Sequence, residues 1–228
     1  MTDLVPRWTL DEQPGLPHRL GRHVEHDERS RAFAFAPPAP RPIVDVAWKR
    51  RVNPYDQGQL GSCTANALCG ALSTKPYRHR FDSQRNIVKL YSRATVIDGF
   101  DGVYPPTDTG SSGLAVAKVA YERAWISGYQ HAFNFDAVLQ ALMQYPGITG
   151  TVWRADMFHP DSDGRVHPTG GDVGGHEYEV FGVDAANRRI WFWNSWSASW
   201  GVGGRFYMTW DDYSGLLAAD GDYTILVP

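Results

Sequence analysis

The spacing of apolar residues changes once along this chain, near Gly147, and that change limits the possible folds more than any other feature. Upstream, apolar side chains recur at helical intervals. They run Ala65, Leu68, Cys69, Leu72; Ile87, Leu90, Tyr91, Ala94, Ile97; Leu114, Ala117, Ala120, Tyr121, Ala124; and Phe135, Val138, Leu139, Leu142, stopped by Pro146-Gly147. Downstream, residues 148–153, 176–184, 190–194, 205–209 and 223–227 are short β-prone runs separated by turn signals such as Asp163-Gly164. Helices first and strands afterwards predict an α+β fold. The helical half covers about 43–146 and the sheet half about 147–228, with a cleft between them.

Residues 1–42 belong to neither pattern. The run Ala36-Pro37-Pro38-Ala39-Pro40-Arg41-Pro42 favours extended backbone and cannot build a core of its own. It is expected to wrap the body at 43–228 as a permanent extension, although an extended strand of this kind could also lie along the cleft. His18, His23 and His26 fall here without accompanying thiols or carboxylates and read as solvated loop histidines, so no metal site is expected.

The chain of 228 residues, 43% apolar, is long enough for a full core. Its net charge of -3 gives no reason to expect nucleic acid or an anionic membrane as partner. The amino terminus lacks a signal-peptide pattern, and no apolar run is long enough to span a bilayer. Cys63 and Cys69 are the sequence's two cysteines, about 9 Å apart along one helix and too far for a disulfide.

Cys63 follows a Gly-rich turn, Asp56-Gln57-Gly58-Gln59-Leu60-Gly61-Ser62, and opens the first helical pattern. Unpaired N–H groups and the macrodipole at a helix start favour thiolate. A low-pKa, reactive Cys63 is therefore expected, against a buried and inert Cys69. His176 opens an apolar run and Asn194 closes another in Trp-rich surroundings. A Cys with a distant His and Asn in this order reads as nucleophile, general base and the group that orients the base. Glu177 and Glu179 alternate with His176 along a strand and should face the other way, onto a solvated or ion-paired surface.

On these residues the chain resembles the papain-like cysteine peptidases, from roughly Val44 to Val227. The resemblance implies a helical N-terminal half, an antiparallel β-barrel-like C-terminal half and an active-site cleft between them. It makes Cys63 the nucleophile, His176 the base, Asn194 its orienting amide and Gln57 the side-chain donor of the oxyanion hole. Trp196 would shield the His–Asn hydrogen bond, and Gly110, Ser111 and Gly175 fall near positions that hold substrate backbone. Leu60 and Thr64 depart from the family's Cys-Gly-Ser/Ala-Cys-Trp/Tyr signature.

The implied activity is peptide-bond hydrolysis through an acyl-enzyme on a peptide or protein substrate, with no cofactor. Alternatives are an amidase or transpeptidase acting on cell-wall peptide, and a non-hydrolysing peptide-binding or assembly protein on the same fold. The disulfide-free form is similar to bacterial and phage relatives, so a cytoplasmic or virion-associated location is expected.

Overall fold

The computed structural model describes residues 6–37 and 39–228. Four helices occupy the stretches with helical spacing: α1 Cys63–Leu72, α2 Gln84–Ile97, α3 Gly113–Glu122 and α4 Phe135–Leu142. Local caps set two of their starts. Ser112 Oγ accepts from Ala115 N at 3.0 Å and Asn134 Oδ1 accepts from Ala137 N at 2.8 Å. At α1 the Ser62 side chain caps no backbone N–H, and Asn66 Nδ2 instead donates to Ser62 O at 2.9 Å and to Ser62 Oγ at 3.1 Å.

The strands are β1 Arg7–Trp8, β2 Val24–Glu25, β3 Val46–Ala47, β4 Gly128–His131, β5 Gly147–Arg154, β6 Asp172–Asp184, β7 Arg189–Trp193, β8 Arg205–Thr209 and β9 Asp222–Val227. β1 and β2 form a small hairpin. The others make one large antiparallel sheet in the order β4-β9-β5-β6-β7-β8, with β3 added on β6; among the described residues it forms no closed barrel.

Besides the short β1–β3, which precede α1, two elements break the simple order of helices then strands. A fifth helix, α5 Trp210–Ala218, follows β8, its start capped by Thr209 Oγ1 accepting from Asp212 N at 3.1 Å. It buries only Tyr213 and Leu216, too sparse a stripe to read as a period. β4 lies in the helical half and is specified by its pairing with β9, a partner roughly a hundred residues away.

The apolar residues separate into two clusters, one around α1–α3 that also takes Ile148 and Leu226, and one on the sheet that also takes Val138, Leu139 and Leu142 of α4. Leu68, Ile87, Leu90, Tyr91, Val116 and Val119 pack among the helices, while Trp153, Tyr178, Phe192, Phe206 and Tyr213 pack on the sheet. Gly70 on α1 lets the sheet approach closely, since a Cβ there would lie 2.7 Å from Glu179 Oε2. No described helix is long and apolar enough to cross a membrane.

The amino-terminal segment is more deeply embedded than its composition suggests. Leu20 and Val24 are fully buried, and Leu20 joins the sheet-side core. Its histidines are correspondingly not free in solvent. His18 stacks on Trp196 at 4.6 Å, and His23 is buried with hydrogen bonds from Leu10 N and to Thr109 O.

Candidate active site

Cys63 is the first residue of α1, facing the middle of β6. Its thiol is fully buried and lies within hydrogen-bonding reach of the Glu177 backbone, one residue beyond His176. His176 Nε2 donates to Asn194 Oδ1 at 2.8 Å, and that oxygen also accepts from Ser195 N at 2.7 Å. The second bond fixes the Asn194 amide with its oxygen towards the ring, which places the imidazole proton on Nε2. Nδ1 is left without a hydrogen-bond partner. Trp196 stacks on His176 at 4.5 Å and 20°, and Trp153 meets it edge-on at 5.0 Å, so water is kept from the His–Asn bond.

Gln57 is tied to the other side of the same loop. Its N–H donates to Ser195 O at 2.9 Å, and its Oε1 accepts from Ser195 Oγ at 2.6 Å. Its Nε2 donates to Arg19 O and Leu20 O at 3.1 Å each and to Leu60 O at 3.0 Å. The amide in the expected oxyanion position is thus turned onto carbonyls, two of them from the amino-terminal segment.

That segment fills the cleft. Gly21 N and Arg22 N both donate to Gly175 O, at 3.2 and 3.0 Å. Arg22 pairs in parallel with Ser111, through Ser111 N to Gly21 O at 2.9 Å and His23 N to Ser111 O at 2.8 Å. Trp196 Nε1 donates to Arg19 O at 3.2 Å. A Cβ on Gly110 would lie 2.5 Å from Gly21 O, and one on Gly21 would lie 2.3 Å from Gly61 O. Gly110, Ser111, Gly175 and Trp196 therefore all meet residues 19–23 of the same chain.

Asp108 locks this strap to the turn before Cys63. It accepts from Gly61 N at 3.0 Å, from Arg19 Nη2 at 3.0 Å and from Tyr91 Oη at 2.6 Å.

Occlusion reverses the expected chemistry of the thiol. Burial pushes the Cys63 pKa well above its ordinary value and the Glu177 charge pushes it further, against weaker help from the Glu177 and Thr64 N–H groups. Burial likewise drives His176 down to about 3, although its bond to Asn194 favours the charged ring. A thiolate is expected from a helix start alone. Under the strap the neutral thiol and the neutral imidazole are favoured instead, because burial penalises the charged form of each.

The glutamates match the sequence reading in their face and, for Glu179, in being ion-paired, but not in lying at a surface. They do face away from His176, but onto α1 and α3 rather than solvent, since β6 lies in mid-sheet with both faces covered. Glu179 is buried with Arg50, Nη1 to Oε2 3.1 Å, and accepts from Thr74 Oγ1. Glu177 is fully buried and neither of its oxygens has a hydrogen-bond partner.

A cavity of about 670 Å³ lies between the β1–β2 hairpin, the start of α3 and the end of α5 rather than at Cys63. No described cluster of His, Cys, Asp and Glu has the arrangement of a metal site.

This architecture is the papain-like fold. The chain is similar to xylellain, a cysteine protease from Xylella fastidiosa, with a TM-score of 0.74 and 20% identity over 98% of this chain and 99% of that one. It is also similar to digestive procathepsin L 3 of Tenebrio molitor larval midgut, with a TM-score of 0.61 and 16% identity over 86% of this chain and 73% of that one. The proform of the ragweed pollen cysteine protease Amb a 11 matches with a TM-score of 0.56 and 16% identity, over 84% and 67% of the two chains. No protein-family model and no curated protein sequence matches the chain.

Proposed function

We propose that the protein is a cysteine peptidase held latent by its own amino-terminal strap. The observation that carries this reading is the strap itself: an extended stretch of main chain, residues 19–23, lies over Cys63 on Gly175, Ser111 and Gln57 as a peptide substrate would. In the latent form the thiol is neutral and inaccessible. Displacement of residues 18–23 would admit water and a substrate carbonyl. It would also free Gln57 Nε2 to donate, with the Cys63 N–H, to the oxygen of that carbonyl.

Cys63 would then pass its proton to His176 and attack the carbonyl carbon. His176 would protonate the leaving amine as the thioester forms, and afterwards draw a proton from the water that hydrolyses it. Asn194 would hold the ring through both steps. The likeness to structures described as proforms fits this arrangement.

The strap is proposed to swing aside while the rest of the extension stays attached through the β1–β2 hairpin and Val24. Profiling a diverse peptide library with the full chain and with Cys63→Ala tests the activity. Cleavage is expected from the first alone, and no cleavage together with no reaction of Cys63 towards a thiol-directed electrophile would overturn the reading. Mass spectrometry of the active form tests the strap: a chain shortened near Pro42 only when Cys63 is present would mean self-removal instead of displacement.

A further inference from the structure

The strap places one side chain in a recess that the proposed catalytic steps do not use. Arg22, whose main chain rests on Gly175 and beside Ser111, turns inward and is 0% exposed. Its Nη2 donates to Asp222 Oδ2 and to Asp220 O, both at 2.7 Å. Beyond it lies the buried Glu177 carboxylate. Neither oxygen of Glu177, nor Nε and Nη1 of Arg22, nor Oδ1 of Asp222 has a hydrogen-bond partner.

The recess exists because two side chains are missing. A Cβ on Gly150 would lie 2.5 Å from both Arg22 Nε and Glu177 Oε2 and 2.9 Å from Asp222 Oδ2. A Cβ on Gly113 would lie 2.6 Å from Glu177 Oε1. Two carboxylates and two glycines, contributed by β5, β6, β9 and the start of α3, thus enclose a single guanidinium.

The location gives the recess a use beyond holding the strap. Glu177 directly follows His176, and its backbone reaches the Cys63 thiol. Any peptide that replaces the strap on Gly175 and Ser111 presents a side chain to the same recess. Once Arg22 has left, the partly exposed Asp222 and the fully buried Glu177, whose pKa burial and the Asp222 charge push well above its ordinary value, are without their cation, and a buried carboxyl group is strongly unfavourable in its charged form unless paired. A planar, permanently charged guanidinium matches two carboxylates better than an ammonium or an apolar group.

We propose that the Glu177–Asp222 recess is the specificity pocket of the cleft, that it selects peptides carrying arginine, and that Arg22 is its intramolecular occupant. The cleavage half of this proposal rests on the peptidase reading; the binding half does not.

The test uses the full chain carrying Arg22→Met, which keeps the stem and removes the charge. Agmatine, a soluble guanidinium, is expected to raise the Tm of this variant saturably by about 2–4 °C and to leave the filled wild-type recess unaffected at the same concentration. Butylamine should do less. In a peptide library the variant should cleave arginine-containing sequences at least tenfold better than leucine analogues at one subsite, with the preference lost in R22M/E177Q.

Agmatine binding without cleavage of any peptide would keep the pocket and overturn the peptidase reading. Cleavage without arginine preference and without an agmatine effect would overturn the pocket and leave the peptidase. If R22M does not fold, the wild-type chain decides at a higher agmatine concentration, sufficient to compete with the tethered Arg22: alkylation of Cys63 should then accelerate at least threefold, and an unchanged rate up to that concentration would refute the pocket.

Discussion

Substituting Gly21 by alanine should unlatch the cleft without touching any residue of the proposed catalytic set. Gly21 has φ +123°, a region that costs a residue with a Cβ about 1–3 kcal/mol. The added Cβ would also lie 2.3 Å from Gly61 O and 2.6 Å from the Gly61 carbonyl carbon and Cα. Those are backbone atoms of a turn held by Asp108, so they cannot yield as the tip of a flexible side chain would. Strain and overlap together disfavour the closed strap by about 3 kcal/mol or more, which raises the open population about 100-fold. Cys63 is fully buried when the strap is closed, so its rate of alkylation at neutral pH, followed by mass spectrometry, reads that population. The labelling rate of Gly21→Ala should rise about 100-fold while the protein remains folded by circular dichroism. Gly15→Ala is the control: its φ is also positive, at +79°, but nothing lies within 4 Å of the added Cβ and it lies outside residues 18–23, so the rate should rise far less than in Gly21→Ala. A folded Gly21→Ala protein that labels at the wild-type rate would refute the strap as the cause of occlusion.

In the unlatched protein Cys63 should react and Cys69 should not, because Cys69 is buried in the helical core whether or not the strap is closed; peptide mapping of the label checks this. On a peptide substrate, Cys63→Ala should abolish turnover, Gln57→Ala should lower it roughly 10–1000-fold, and Asn194→Ala should leave a measurable remnant, since it only orients the base. Acid should loosen the strap. Burial holds the His23 pKa below its ordinary value, with Arg22 and Arg19 pushing it further down against the Thr109 carbonyl and Asp11, so its contribution to closure is complete above about pH 6.5 and is lost as pH falls below that value. Amide protection of Gly21 to His23, corrected for intrinsic exchange, should drop between pH 7 and pH 5 in wild type and stay flat in His23→Gln. Arg50→Met leaves the Glu179 carboxylate buried against Gly70 without its partner and should destabilise the fold by about 3–5 kcal/mol in urea denaturation.

The sequence by itself determined the α+β order, the first four helices to within a few residues and five of the sheet strands, because each of those segments carries its own period in enough residues to be read locally. It also marked Cys63, His176 and Asn194 as a set, since a thiol at a helix start, a histidine opening an apolar run and an asparagine closing another can each be recognised from their neighbours in the chain, and the family resemblance added Gln57. What depends on distant parts of the chain was decided by tertiary structure alone. β4 exists through its pairing with β9, and α5 has too few buried positions to show a period. Glu177 and Glu179 alternate with His176 as a strand requires, yet only the docking of α1 and α3 onto β6 turns their face from surface into interior. The state of the thiol follows the same rule. A helix terminus favours thiolate, but desolvation outweighs that dipole once residues 18–23 cross the cleft, and a Pro-rich segment gives no local sign of where its glycine and arginine will fit.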